Sequence, residues 1–193
     1  MMPLRLIAPV GANDEDAIRG LARADRARAI DALVRTYREP LFHHASYILK
    51  DYEEAIDVVQ DVFIKAMREP RLFDPAFRIK AWLYRVTSNL CFNTVRDRRR
   101  RSAILDTLPR KSSTVAPQFE VVVQDEQQQR IFEALDRVTD AHREILSLRY
   151  YSDLSYAEIA DVLDVKLGTV MSRLSRARQA MLETLDSDIV QEP

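Results

Sequence analysis

Three glycines in 193 residues, Gly11, Gly20 and Gly168, leave this chain few folds other than a helical one. Sandwiches, doubly wound sheets and glycine-loop nucleotide sites all need many tight turns or positive-φ positions, which glycine occupies at least steric cost. The hydrophobic fraction of 47% supplies ample material for packed cores, so a wholly disordered chain is excluded. At this length the cores can belong to one large domain or to two small ones.

The apolar residues recur at helical spacing. Over residues 27–49, Ile30, Leu33, Val34, Tyr37, Leu41, Ala45, Ile48 and Leu49 form a one-sided stripe, which Pro40 is expected to bend or interrupt. Ala55, Val59, Val62 and Ala66 make a second stripe that stops before Pro70. Upstream, Asn13 is a candidate cap for a first helix, with Asp14, Glu15 and Asp16 near its positive end. Beyond a connector at residues 71–76, Phe77, Ala81, Tyr84, Val86, Leu90 and Val95 predict a long helix running into an arginine cluster.

Residues 102–125 then lose periodicity around Pro109 and Pro117 and read as a flexible linker, longer than an ordinary loop. Ile131, Phe132, Leu135 and Val138, followed by Ile145, Leu146 and Leu148, predict two helices of a second bundle that two short helices close. The expected organisation is all-α: a leader at residues 1–13, a first bundle at 14–101, a linker at 102–125, a second bundle at 126–186 and a tail at 187–193.

A net charge of -1 conceals segregation. Residues 51–61 carry five acids and no base, whereas residues 96–101 carry five arginines and one acid. The lone cysteine, Cys91, excludes an internal disulfide and a cysteine-cluster zinc site, and beside Phe92 it reads as a buried small residue. His43, His44 and His142 lack metal-ligand spacing, so no metal, cofactor or enzymatic centre is expected. No stretch approaches the roughly 18 apolar residues of a membrane span, and the apolar run near Met1 is too short for a signal peptide. A cytoplasmic protein without direct membrane insertion is the expectation.

The most informative stretch is residues 154–182, LSYAEIADVLDVKLGTVMSRLSRARQAML. Ser155 and Glu158 have the spacing of a capping box, and Ile159, Ala160, Val162 and Leu163 supply an inward face. Residues 164–168 suit a tight turn, after which Thr169 is placed to cap a further helix. There Val170, Leu174, Ala177 and Met181 repeat at four, three and four, leaving Ser172, Arg173, Ser175, Arg176 and Gln179 on the polar side. Guanidinium forks, hydroxyls and an amide are the groups that meet base edges and phosphates in a major groove. The pattern is that of a helix-turn-helix.

In their order, AIDVVQDVFIKAM at residues 55–67, FRIKAWLYRVTSNLCFNTVRDRRRR at 77–101 and the helix-turn-helix resemble the sigma-70 family of bacterial initiation factors, in its extracytoplasmic-function (ECF) branch. That branch keeps two globular domains, regions 2 and 4, and the match extends over about residues 15–185. The resemblance implies an alternative sigma factor that binds core RNA polymerase and directs initiation at promoters with -35 and -10 elements. It assigns docking on the beta-prime clamp helices to Asp57, Gln60, Asp61 and Phe63, and further contact to the beta flap. Melting and -10 reading fall on residues 71–101, where Phe73, Phe77, Arg78 and Lys80 suit an extruded base and Asn89, Asn93, Arg96, Arg98 and Arg99 suit the DNA backbone. Reading of the -35 element falls on Lys166, Thr169, Ser172, Arg173, Ser175, Arg176 and Gln179. An anti-sigma factor, membrane-bound in many relatives, is a further implied partner.

Some positions depart from the family pattern. Leu83 stands where housekeeping relatives have the second of two tryptophans, Trp82 matching the first, which implies weaker melting and tighter dependence on promoter sequence. Lys166, Leu167 and Met171 differ from the usual turn and helix residues and bear on the -35 sequence preferred. Two other readings compete: a response-regulator-type activator, which would need an alternating strand and helix receiver, and a helical adaptor that never touches DNA.

Overall fold

The computed structural model describes residues 12–105, 134, 135 and 137–189. Every regular element among them is helical, as the scarcity of glycine dictates. Helix α1 spans Ala12–Ala24, with Asp14 and Glu15 in its first turn. Helix α2 (Arg26–Leu49) starts at Asp25, whose carboxylate accepts from the Ala27 and Arg28 amides. It ends at Lys50, which takes a left-handed conformation (φ 53) and donates its amide to the Ser46 carbonyl at 2.8 Å. Asp51 caps α3 (Tyr52–Arg68) by accepting from the Glu54 amide at 3.0 Å. After a run of turns comes α4, Ile79–Leu105.

Two expectations for this half need correction. α1 begins at Ala12, so Asn13 lies inside the helix and not at its cap. α2 runs through Pro40 without the interruption that is one of the two expected effects of that residue. Proline lacks the amide for one ladder bond, but α2 buries Ala29, Leu33, Tyr37, Leu41, Ala45, Ile48 and Leu49 along its whole length. Tertiary packing outweighs the local defect. These side chains meet Leu72, Ile79 and Leu83 in a core to which α1, α3 and α4 all contribute.

In the second half α5 spans Asp140–Leu146, capped by Thr139, and continues into a π-helical turn at Ser147–Tyr151. Arg143, only 5% exposed, donates its Nε to the Leu135 carbonyl at 2.8 Å. A buried charge held in this way satisfies a helix-end carbonyl that water cannot reach. Helix α6 (Tyr156–Leu163) has the predicted capping box: the Glu158 amide donates to Ser155 Oγ at 3.2 Å and the Ser155 amide to the Glu158 carboxylate at 2.8 Å.

Helix α7 spans Leu167–Ile189, 23 residues, so the final helix is long and not short. It also starts earlier than Thr169. The Lys166 carbonyl accepts from the Thr169 and Val170 amides, and Gly168 lies within the first turn at negative φ. The left-handed position that ends α6 falls to Asp164 (φ 54), which shortens the turn. Val170, Leu174 and Ala177 are buried against Leu148, Leu154 and Ile159. Residues 1–11 of the expected leader, 106–125 of the expected linker, Ile131 and Phe132 of the second bundle and 190–193 of the expected tail lie outside the described residues, whereas residues 102–105, expected in the linker, continue α4 and residues 187–189, expected in the tail, continue α7.

Candidate nucleic-acid interface

Because Val170, Leu174 and Ala177 lock one side of α7 into the core, the opposite side must face solvent. Lys166, Ser172, Arg173, Ser175, Arg176 and Gln179 are all exposed, and Thr169 is half-buried. Helical phase puts Ser172, Ser175 and Gln179 along the middle of that face, with Arg176 on one flank and Met171, 54% exposed, on the other. No acid occurs between residues 165 and 182, so the surface is wholly basic or neutral. Arg176 donates Nε to the Ser172 carbonyl (3.3 Å), and the Gln179 amide reaches Glu183 (3.1 Å). Arg173 sits apart from this line, toward Glu144 of α5. Burial raises the Glu144 carboxyl above its ordinary range, and the Arg173 charge draws it partly back.

The residues singled out on the connector and α4 divide into three groups. Asn89, Asn93 and Arg96 are exposed on one face of α4, where Arg96 pairs with the Asn93 amide oxygen and donates Nε to the Phe92 carbonyl (3.2 Å). Phe73 and Phe77 are half-buried: the Arg26 guanidinium lies 5.2 Å from the Phe73 ring centre, and Phe77 packs on Trp82 at 6.0 Å. Arg78 and Lys80 form the third group. Arg78 is ion-paired with Asp161, and Lys80 donates Nζ to Glu158 at 2.5 Å. Burial pushes the Glu158 carboxyl up, but the Lys80 and Ser155 hydrogen bonds outweigh it and hold the group below its usual range. The Arg99 side chain lies outside the described residues. Leu83 is fully buried, so a tryptophan there would have to displace core.

Arg98 is a structural clamp as the molecule stands. Its guanidinium donates to the Leu49 carbonyl (3.0 Å) and to Glu54 (3.1 Å), and lies 3.4 Å from Asp51, tying the end of α2 to the start of α3. Arg98→Ala is expected to lower stability by about 1 kcal/mol, since the site is partly open to solvent, with the salt dependence of DNA binding unchanged. Thermal melting and a salt titration of promoter binding check this together.

On α3, Asp57, Gln60 and Asp61 are exposed on one face, whereas Phe63 is 8% exposed and serves mainly as core. The sequence reading passed over the apolar neighbours of that face. Ile64, Met67 and Tyr52 are 40%, 50% and 49% exposed. The available signal was Ile64 itself, four residues from Gln60 and off the buried stripe of Ala55, Val59, Val62 and Ala66. Between α2 and α3 runs a groove of about 1060 Å³, lined by Phe42, Tyr52, Ile56, Gln60, Phe63 and Ile64 among others. An acidic rim over an apolar groove suits a protein partner with a basic, amphipathic element.

The sequence reading considered His44 only as a metal ligand, and it passed over Arg85. His44 is fully buried, with Nε2 2.9 Å from Ser88 Oγ and Nδ1 2.8 Å from Ser152 Oγ, and burial pushes the imidazole down to about 3, so it is neutral. Arg85 donates Nε to the Val162 carbonyl (2.7 Å) and Nη2 to the Asp161 carbonyl (2.6 Å). Cys91 is buried, which pushes its thiol up to about 12. Among the described residues no cluster of histidine, cysteine and acids has metal-site geometry, and no helix is long and apolar enough to cross a membrane.

Two helical modules, one of them a helix-turn-helix with an exposed basic face, define a class of sequence-reading helical proteins. Family models place this one further: sigma-70 region 2 matches residues 33–101, and sigma-70 region 4 matches residues 128–181. The RNA polymerase sigma-H factor of Pseudomonas aeruginosa is 29% identical over 181 residues, covering 89% of this chain and 93% of that protein. Among solved structures, the sigma factor RpoE in complex with the anti-sigma factor NepR, from Bartonella quintana, is 27% identical with a TM-score of 0.59, over 82% of this chain and 97% of that one. CnrH in complex with the cytosolic domain of CnrY is 26% identical with a TM-score of 0.63, over 91% and 99%. The chain belongs to the sigma-70 family, in its extracytoplasmic-function branch, and is an initiation factor and not an enzyme.

Proposed function

We propose that this sigma factor grips core RNA polymerase through the α3 face of Asp57, Gln60 and Asp61, with the α2–α3 groove and Ile64 completing the contact with the beta-prime clamp helices. The exposed side of α7 enters the major groove at -35, where Ser172, Ser175, Arg176 and Gln179 meet bases and phosphates. The connector and α4 engage the -10 region through Arg78, Lys80, Asn89, Asn93 and Arg96. The observation that carries this reading is the exposed face of α7 between Lys166 and Leu182, which carries no acid and is fixed in orientation by Val170, Leu174 and Ala177 behind it.

Each module alone offers DNA a small interface, so tethering of both on the polymerase raises the effective concentration of the second contact. An anti-sigma factor that covers both modules, held at a membrane by its own span, is a further partner, a reading supported by the relative RpoE having been solved in complex with the anti-sigma factor NepR. The family models cover both halves, which leaves a receiver-type activator or a DNA-free adaptor unsupported. The deciding experiment is transcription in vitro with purified core polymerase and a promoter library. Initiation confined to promoters sharing a -35 and a -10 sequence is the expected result. Absence of promoter-dependent initiation, together with no core polymerase retained in a pull-down, removes the reading.

A further inference from the structure

Two large apolar side chains stand on the surface assigned to DNA. Leu167 and Met171, one turn apart at the start of α7, are 50% and 54% exposed. The core is held by Val170, Leu174 and Ala177 on another side of the helix, so packing gives neither residue a reason to be apolar. We propose that Leu167 and Met171 read thymine in the -35 element through its 5-methyl group, so that part of the promoter preference of this protein is apolar in origin. The proposal rests on the placement of α7 in the -35 major groove given above.

Charge is arranged around these two residues and not among them. Residues 167–172 carry none, while Lys166, Arg173, Arg176 and Arg178, all exposed, frame them. In a helix-turn-helix the first turns of the second helix approach base edges, and phosphate contacts set the register without carrying sequence. Of the groups that base pairs present in the major groove, the thymine 5-methyl is the apolar one. A leucine and a methionine brought against any other edge would strip water from a donor or acceptor and return no hydrogen bond. The pair therefore favours T·A by contact and rejects G·C by desolvation. Side chains four residues apart on a helix are separated by about 5–6 Å, between one and two base-pair steps of roughly 3.4 Å, so neighbouring thymines come within their joint reach.

Gly168 supplies the clearance. By helical phase it lies on the outward side with Ser172, Ser175 and Gln179. Its φ is not positive, and a β-carbon at this position would meet nothing within 4 Å beyond its own turn of helix. Neither backbone geometry nor internal packing calls for glycine, which weakens a helix. A bare backbone at the entering end of α7 lets DNA come close, and methyl contact requires an approach of about 4 Å.

Holoenzyme assembled on core polymerase tests this on a promoter drawn from the library, with deoxyuridine in place of each -35 thymine in turn. Uracil keeps every hydrogen-bonding group of thymine and loses the methyl. At one or two positions affinity should fall about fourfold, the worth of one buried methyl. The salt dependence of binding should not change, because no phosphate contact is lost. Leu167→Ala with Met171→Ala should bind the thymine and uracil promoters equally, and Met171→Leu should keep the preference. Both positions are exposed, so folding is not at stake. Affinity that responds to no exchange of thymine for uracil overturns the proposal, as does full preference in the double alanine variant or a -35 consensus devoid of T·A pairs.

Gly168→Ala should leave the melting temperature no lower, while promoter affinity falls about fivefold or more through overpacking at the groove. Undiminished affinity removes the close seating and the proposal with it. The -35 role itself is read separately, by scrambling the element. If scrambling weakens binding but uracil does not, α7 still reads the groove and the apolar contact is what fails. If scrambling has no effect, the placement of α7 fails and this inference falls with it.

Discussion

Arg176→Ala is expected to reduce -35-dependent transcription by roughly 5- to 150-fold, the loss of a side-chain fork contact worth about 1–3 kcal/mol. The residue is exposed on the face of α7 opposite Val170, Leu174 and Ala177, and its described hydrogen bond, from Nε to the Ser172 carbonyl, stays on its own helix. The guanidinium is therefore held in line with the groove but not consumed by an acid. Removing it should leave the core intact, since an exposed substitution distant from packing moves stability by no more than about 0.5 kcal/mol. Core polymerase affinity should also be unaltered. Promoters with and without an intact -35 element, assayed side by side, check the claim. An equal loss on both, or a parallel loss of polymerase binding, would give α7 a different role.

The reciprocal experiment is charge reversal on α3. Asp57→Arg with Asp61→Arg should weaken core polymerase binding by about a hundredfold, because like charges set opposite one another across an interface cost several kcal/mol. Both carboxylates are exposed and one turn apart, beside Gln60 and Ile64 at the mouth of the α2–α3 groove. Reversed charges there would meet a basic partner surface with repulsion, while the helix keeps its buried stripe of Ala55, Val59, Val62 and Ala66. Melting temperature should hardly move, because the only new intramolecular conflict is with Lys65, four residues on, at a few tenths of a kcal/mol. Binding titrations against core polymerase read the outcome. Wild-type affinity would take the docking role away from this face.

The partners of Arg98 show where reading along the chain loses power. In sequence it belongs to a run of arginines that looks uniform, and a backbone-binding role suits every member of the run equally. In three dimensions it closes the α2–α3 junction through Leu49, Asp51 and Glu54, 44 to 49 residues away. Its neighbours Asn93 and Arg96 stay on the exposed face. A one-residue step along a helix turns the side chain by 100°, so adjacent arginines can serve unrelated purposes. Phe63 is a similar case: the motif places it in the docking set, and packing assigns most of it to the core.

What the residues determined by themselves is local. The three-and-four spacing of Val170, Leu174 and Ala177 fixed which side of α7 faces out, and Ser155 with Glu158 fixed where α6 begins, because helix periodicity and capping act within a few residues. Tertiary structure decided the rest. It carried α2 through Pro40, moved the start of α7 to Leu167, and set Arg78 and Lys80 against Asp161 and Glu158 across 78 and 83 residues of chain. Such pairs leave no periodic trace, since their energy arises only when two separately folded surfaces meet, and charge or size at one position cannot name its partner.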